Sequence, residues 1–554
     1  MRKEWIVKQF TPEIFELSKN YKLNPIIVQI LISRKVKKED FSSFLNPSFD
    51  DLFSPFLLPD IDKAVRRIKK AVEKKEKVFL FGDYDVDGIT SLVIFYEYIK
   101  DFSLDVSFYI PHRIEEGYGL NEEAIRNINE KKTDLIICFD CGTNSKREVE
   151  LANSLGMDVI AIDHHIPQEG LNNDFCAFVN PKRQDSSYPF KDLSTAAISF
   201  KLVWALKGTP CFELLDLVAL STVCDVVPLK GENRVFVKEG IECLRNGQRP
   251  AIEVLCKLAR VKSQNIEPYH IGYILGPRIN ACGRVSRAME ALDLFLSYDR
   301  SYLKELANRI DGYNKLRRGI ERRIFKEAET IIECKLKDDS VLVVYKEGWH
   351  PGVLGIVASK LVDKYGRPAF VLSLDKERGK GSARSVQGFH ILEALHSCSD
   401  FLASYGGHKK AAGIEILKED IEDFRERLNK ISREKLKNEK VIPRLYLDWE
   451  LQFEDITMDL IEMIEKLKPF GEENRPPLFV TKKVLSKTSP KKINGSMYSF
   501  WISDGRYTYE AKFYERDGFL DMINYGKPLN IVYSLEKNYY YNAPRIVVKD
   551  LRLH

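Results

Sequence analysis

The stretch "FGDYDVDG" places Asp83, Asp85 and Asp87 at alternate positions directly after the apolar run "KVFLF" (residues 77–81). Like charges a few ångströms apart raise each other's pKa and cost stability unless a cation neutralises them, so this spacing calls for a positive partner. Further stations recur downstream: Asp140 in "FDCGTNS", Asp163, His164 and His165 in "AIDHHIP", and Asp225 in "STVCDVVPL". Any one of these aspartates alone reads more simply as a helix N-cap, and either histidine alone as a packed or surface residue. Gathered at one sheet edge, however, they would converge about five carboxylates and one or two imidazoles, with no nearby cluster of Lys or Arg to neutralise them. Such a ligand set suits Mn²⁺ or Mg²⁺ better than Zn²⁺ and is larger than one ion needs. Two divalent ions sharing bridging aspartates, about 4 Å apart, activate water and stabilise both oxygens of an in-line displacement at phosphorus.

The elements needed to gather these residues are legible. Short β-rich runs, "KVFLF", "VSFYI", "DLIICF", "MDVIAI" and "CAFVN", alternate with helical stretches such as "IDKAVRRIKKAVEKK". That alternation predicts a parallel sheet covered on both faces, whose ligands bind beyond the carboxyl ends of the strands. Residues 1–60 read as an N-terminal helical cap and residues 61–300 as the first α/β lobe. A long charged helix over 301–336 would join this lobe to a second α/β lobe at 337–438, and short aromatic strands over 439–554 predict an all-β barrel. The aromatic block of that last segment holds Tyr498, Phe500, Trp501, Tyr507, Tyr509, Phe513, Tyr539, Tyr540 and Tyr541. Strand alternation turns about half of them inward, so only a subset can stack bases.

The 554 residues imply roughly three or four domains. A net charge of +5 is too small for this length to argue by itself for nucleic acid. The first twenty residues contain no continuous apolar segment, and no run approaches a membrane span, so a cytoplasmic protein without membrane contact is expected. Ten cysteines are scattered. The one CxxC spacing, Cys138 and Cys141, reads as core packing rather than zinc or redox chemistry.

In order, "DYDVDG", "FDCGTN", "DHH" and "CDVVPL" resemble the motifs of the DHH phosphoesterase superfamily, and "GSARS" with "GGHKKAAG" resembles its DHHA1 domain. The segments "PHRIEEGYGLN", "LGPRINACGR", "GWHPGVLGIVASKL" and "KPFGEENRPP", with the C-terminal strands, extend the resemblance to the RecJ family of single-strand-specific 5′-to-3′ exonucleases. The implied fold is two α/β lobes, DHH and DHHA1, joined by a long helix and followed by an OB-like barrel. The resemblance implies metal ligation by Asp85, Asp87, Asp140, His164 and Asp225, with Asp83 at the same cluster. It gives Asp163 and His165 a part in orienting the site or in proton transfer. A ligating His needs a partner for its second ring nitrogen, and Asp163 is the neighbour at hand for His164. Around a terminal phosphate the resemblance places Arg278, Asn280, Ser382, Arg384, Gly407 and His408, with Arg113 and Tyr118 contacting the strand. It further implies single-stranded DNA as substrate, a role in repair and recombination, and a single-strand-binding protein and a RecQ-type helicase as partners. Two other readings share these residues: a short-oligonucleotide or cyclic-dinucleotide phosphodiesterase, and a catalytically silent DNA-binding scaffold.

Overall fold

Strands of β-branched and aromatic residues without an intervening charge bury both faces, which is what a sheet sandwiched by helices requires. In the computed structural model, which describes residues 3–9, 11–168, 174–247, 249–436, 444–516, 518–524, 527–538 and 541–554, β1 (Glu4–Val7) opens the chain. The next five strands, β2 (Val78–Gly82), β3 (Val106–Tyr109), β4 (Leu135–Phe139), β5 (Asp158–Ile162) and β6 (Ala177–Val179), form one sheet in the order β3-β2-β4-β5-β6. Every pairing in it is parallel. All residues of β2 and β4 are buried. On one face Phe79, Phe81, Ile136 and Cys138 pack against Ala124, Ile125 and Ile128 of helix Glu122–Glu130 and Val149 and Ala152 of helix Lys146–Ser154. Cys138 and Cys141 are both buried, free thiols.

Register does the positioning. Gly82 pairs with Phe139 and Phe139 with Ile162, so the three central strands end in one row. The residues that follow them are Asp83, Asp140 and Asp163. Helix Val86–Ile99 begins at once after β2, with Asp85 as its N-cap accepting from the backbone N–H of Asp87 and Gly88. The N-cap reading of this aspartate therefore holds alongside any other role.

A 36-residue helix, Arg300–Lys335, leads from this lobe to a second sheet. Its strands, β7 (Leu342–Glu347), β8 (Ala369–Asp375), β9 (Arg378–Arg384), β10 (Leu402–His408) and β11 (Ala411–Leu417), take the order β10-β11-β9-β8-β7, with only β7 and β8 parallel. Helix Leu354–Tyr365 packs with the long helix over one face, and helix Ile421–Leu436 covers the other. Both lobes belong to one compact unit, residues 54–225 and 240–442.

A second unit comprises residues 1–53, 226–239 and 443–554. Strands β13 (Trp449–Glu450), β14 (Phe479–Ser486), β15 (Lys491–Asn494), β16 (Met497–Ser503), β17 (Thr508–Tyr514), β18 (Leu529–Asn538) and β19 (Ala543–Leu553) form a sheet that closes through an extra β14–β16 pairing. The N-terminal helices, expected from sequence as a cap of their own, share this barrel's core: Ile14, Ile27, Leu31 and Phe41 cluster with Leu460, Phe500 and Phe513. β1 also pairs in parallel with β12 (Arg444–Leu447). The buried Arg234 guanidinium ties the same unit together by donating to the carbonyls of Phe44, Lys466, Leu467 and Lys468.

In the first lobe, helix Gly276–Val285 approaches the turn after β2 so closely that a Cβ on Gly283 would lie 2.6 Å from the Tyr84 carbonyl oxygen. Gly283→Ala is therefore expected to lower stability by about 1–3 kcal/mol through overpacking. It should also weaken metal binding, because the displaced turn carries Asp83, Asp85 and Asp87. Chemical denaturation and Mn²⁺ titration of the same variant check both effects.

Candidate active site

The row of strand ends delivers the expected residues to one place. Three groups of ligand atoms lie within 4.8 Å of one another: Asp83, Asp85 and Asp140; Asp87, His164 and Asp225; and Asp140, His164 and His165. Asp140 belongs to two of them and reaches its position through a left-handed φ of +62°, a conformation that costs a non-glycine residue about 1 kcal/mol or more. Asp225 caps the C-terminal end of helix Leu215–Cys224.

The cluster is braced by backbone donors. Asp87 Oδ2 accepts from Thr195 N at 2.8 Å and Oδ1 from Ala196 N at 2.9 Å, the first turn of helix Thr195–Lys207, while Ser221 Oγ donates to Oδ1 at 2.5 Å. Thr195 Oγ1 donates to Asp140 Oδ1 at 3.0 Å. A helix N-terminus is a favourable setting for a carboxylate, yet this one satisfies only part of the charge. Burial, reinforced by neighbouring carboxylates, pushes Asp83, Asp140 and Asp225 well above the ordinary range and raises Asp85 as well. Among the described residues the basic side chains within 4 Å of these carboxylates are His164 and His165 alone.

His164 settles what kind of partner fits. Its Nδ1 lies 2.9 Å from the Leu193 carbonyl, so the proton sits there and Nε2 presents a bare lone pair. That nitrogen lies 3.4 Å from Asp140 Oδ1, 3.6 Å from Asp225 Oδ2 and 3.8 Å from Asp87 Oδ2. Burial lowers the His164 pKa, which keeps the ring neutral. The expected second-ring partner, Asp163, is thus replaced by Leu193. The backbone turns the two adjacent histidines in different directions, and Asp163 faces the other one. Asp83 Oδ1, buried without a hydrogen-bond donor, adds an orphaned acceptor that a divalent cation would satisfy.

Asp163 instead organises the turn around His165. Its Oδ1 accepts from His164 N and His165 N and lies 2.8 Å from His165 Nδ1, while Oδ2 accepts from Thr143 N. Burial alone would lower His165, but the carboxylates around it, Asp163 foremost with Asp225 and Asp87, together outweigh that and bring the imidazole up to about 9. Asp163 is held well below the usual carboxylate range, because the two histidines and the Thr143 bond outweigh its burial. Tyr118 Oη donates to the Asp140 carbonyl at 2.7 Å and lies 3.1 Å from His165 Nδ1.

The cationic residues divide into two sets. Arg113 stacks over the Tyr84 ring with its guanidinium carbon 4.7 Å from the centroid. Arg384 and Ser382, two apart on β9, face the first turn of helix Leu354–Tyr365, where a Cβ on Gly355 would lie 3.0 Å from Arg384 Nη2 and 3.5 Å from Ser382 Oγ. Arg284, which sequence reasoning missed although it ends the quoted "LGPRINACGR", joins them: burial and the neighbouring Arg113 pull it down to about 10. Burial and Arg113 also lower Arg384. Among the described residues none of these three guanidiniums ion-pairs with a carboxylate, so they form an anion-seeking group. Arg278 and Asn280 have other partners. Arg278 binds Asp311 Oδ1 at 3.0 Å and the Ile274 carbonyl, and the Asn280 amide oxygen accepts from Val86 N at 3.0 Å. Gly407 (φ +148°) and His408 end β10 in exposed positions, where a Cβ on Gly407 would collide with the Ala411 carbonyl oxygen. Thr195, Ser221 and Leu193 were also missed, because their contacts join segments far apart in sequence.

The chain matches the DHH family, N-terminal domain, over residues 77–222, the DHHA1 domain over 338–434 and the RecJ OB domain over 447–550. It is 38% identical over 544 residues to the single-stranded-DNA-specific exonuclease RecJ of Bacillus subtilis, covering 97% of this chain and 69% of that one. The chain belongs to the RecJ family. Among solved RecJ structures, that from Thermus thermophilus in complex with Mn²⁺ aligns with a TM-score of 0.84 at 24% identity, over 100% of this chain and 80% of that one. An exonuclease RecJ bound to manganese aligns with a TM-score of 0.61 at 29% identity, over 69% of this chain and 97% of that one.

The Asp163–His165 pair makes a direct prediction for metal-free protein. Asp163→Asn removes the nearest of the carboxylates that raise His165, leaving Asp225 and Asp87, so its titration should fall from about 9 toward the ordinary histidine value near 6.5. In wild type the stabilisation from this pair is fully present below about 6.5 and lost as pH rises through about 9, and in the variant that loss should shrink. NMR titration of the His165 ring and denaturation across that pH window read the two effects.

Proposed function

We propose that this RecJ-family chain is a divalent-metal-dependent exonuclease that removes nucleotides from the 5′ end of single-stranded DNA in repair and recombination. The observation that carries this reading is the convergence, within one compact unit, of an unneutralised acidic cluster and an unpaired arginine group. The first suits metal and the second suits phosphate. Relatives named as single-stranded-DNA-specific exonucleases and a solved relative with manganese support it.

Asp83, Asp85, Asp87, Asp140, His164 and Asp225 would hold two Mn²⁺ or Mg²⁺ ions. Bound there, the ions supply positive charge to the phosphoryl oxygens and acidity to water. The remaining work falls to the chain. Thr195, Ala196 and Ser221 hold Asp87 at fixed geometry, and Leu193 fixes the His164 tautomer. Asp163 keeps His165 protonated, so that its imidazolium can steady or protonate an oxygen at the reacting phosphorus. Ser382, Arg384 and Arg284 would grip the terminal phosphate, with Gly407 and His408 from β10 alongside and Arg113 and Tyr118 against the adjoining nucleotides. Arg278 and Asn280 act as braces through Asp311 and Val86. In this reading a single-strand-binding protein and a RecQ-type helicase would present the strand.

In the barrel, Phe500 and Phe513 are buried and Tyr509 donates to the Phe453 carbonyl, whereas Trp501, Tyr507, Tyr514 and Tyr541 are exposed; Tyr539 and Tyr540 lie outside the described residues. Among the described residues no helix is long and apolar enough to cross a membrane.

Strands labelled separately at each end test the assignment. Mn²⁺-dependent release of labelled mononucleotide from the 5′ end, with blunt duplex spared, is the expected result. Preference for a dinucleotide over a long strand would replace it with the short-oligonucleotide reading. Asp140→Ala should cut turnover to below about 1% of wild type while strand binding persists. Trp501→Ala should weaken strand binding by about 1–3 kcal/mol, read by fluorescence anisotropy.

A further inference from the structure

Within the catalytic unit, a second aromatic surface lies on the segment that packs beneath Asp225. The turn Pro268–His270 runs into a π-helical stretch, Ile271–Leu275, and then into helix Gly276–Val285. Ile271 and Leu275 are buried, while Tyr269 is 61% and Tyr273 75% exposed; among the described residues no large apolar or aromatic side chain is more exposed than Tyr273. The two rings lie with centroids 5.2 Å apart and planes 27° from parallel. π-helical turns are rare and recur at functional sites.

The segment is fixed at several points. Gly276 sits so close to Cys224 that a Cβ there would collide with Sγ, and one on Gly272 would lie 3.6 Å from Val223. Val223 and Cys224 immediately precede Asp225. Arg278 donates to the Ile274 carbonyl, Glu267 N donates to His270 Nδ1, and His270 meets the Tyr269 ring edge-on. A pair of aromatic faces held in place without a protein partner over them has already lost the freedom that binding would otherwise cost. Stacked and exposed aromatic faces are the complement of single-stranded nucleic acid, whose bases stack in any sequence.

We propose that Tyr269 and Tyr273 form a base-stacking platform for single-stranded DNA on the catalytic unit, in addition to the barrel and beside the helix end that delivers Asp225. The proposal rests on the exonuclease reading above.

Binding is measured with metal-free wild type, the Tyr269→Ala/Tyr273→Ala protein and the Tyr269→Phe/Tyr273→Phe protein, using a long oligothymidylate and a matched strand of abasic residues. Thermal melting confirms that each variant folds, which is expected because both side chains are exposed. The alanine pair should bind oligothymidylate about tenfold more weakly and discriminate less against the abasic strand. The phenylalanine pair should behave as wild type, since stacking needs the ring and not the hydroxyl. In Mn²⁺ the alanine pair should raise KM and leave kcat at saturating strand unchanged. Unchanged affinity of the alanine pair, or equal losses in both variants, overturns the platform. Failure of wild type itself to degrade the strand would instead overturn the exonuclease reading.

Discussion

Mutual repulsion among buried carboxylates is the constraint around which the catalytic unit is organised. Asp83, Asp85, Asp140 and Asp225 are pushed upward in pKa by burial and by one another, and their ionic neighbours are two histidines, one of them neutral. A fold holding these groups at fixed positions must recover the cost elsewhere. It does so with the Thr195 and Ala196 backbone donors, with the Asp85 N-cap and with the large apolar interior of a doubly covered parallel sheet. The geometry becomes fully favourable only with dications present, which is how one arrangement can be costly for the free protein and productive for chemistry.

The same economy explains the two sets of arginines. Arg278 has Asp311 and a carbonyl to satisfy it. Arg113, Arg284 and Arg384 lack carboxylate partners among the described residues, and an anion bound among them would relieve their mutual repulsion. Acidic and basic groups thus stay separate: Asp85 reaches Arg284 electrostatically, without an ion pair that would quench both. A phosphodiester between metals and arginines needs both charges left available.

The second unit solves a different problem. A small closed sheet has limited interior, and the core here is enlarged by N-terminal helices more than 400 residues away in sequence. Arg234, buried among backbone carbonyls and stacked 4.2 Å from the Phe44 ring, joins three stretches of chain in that unit. Its burial, aided by Arg34, pulls its pKa down to about 9, which leaves it charged and donating at neutral pH.

The sequence by itself determined the acid stations, the parallel sheet that collects them, the long helix and the aromatic strands. These follow from local periodicity and from motifs only a few residues long, and strand register then placed Asp83, Asp140 and Asp163 in one row. Tertiary structure alone decided who serves whom. Leu193 rather than Asp163 orients His164, Asp163 serves His165, Asn280 braces Val86, and Arg284 rather than Arg278 is left without a carboxylate and open to an anion. It also decided that Phe500 and Phe513 turn into the barrel while Trp501 turns out, and that residues 1–53 share the barrel's core. Such pairings join atoms separated by tens to hundreds of residues, and no local period encodes them. They depend on where the whole chain path brings each donor, acceptor and apolar face.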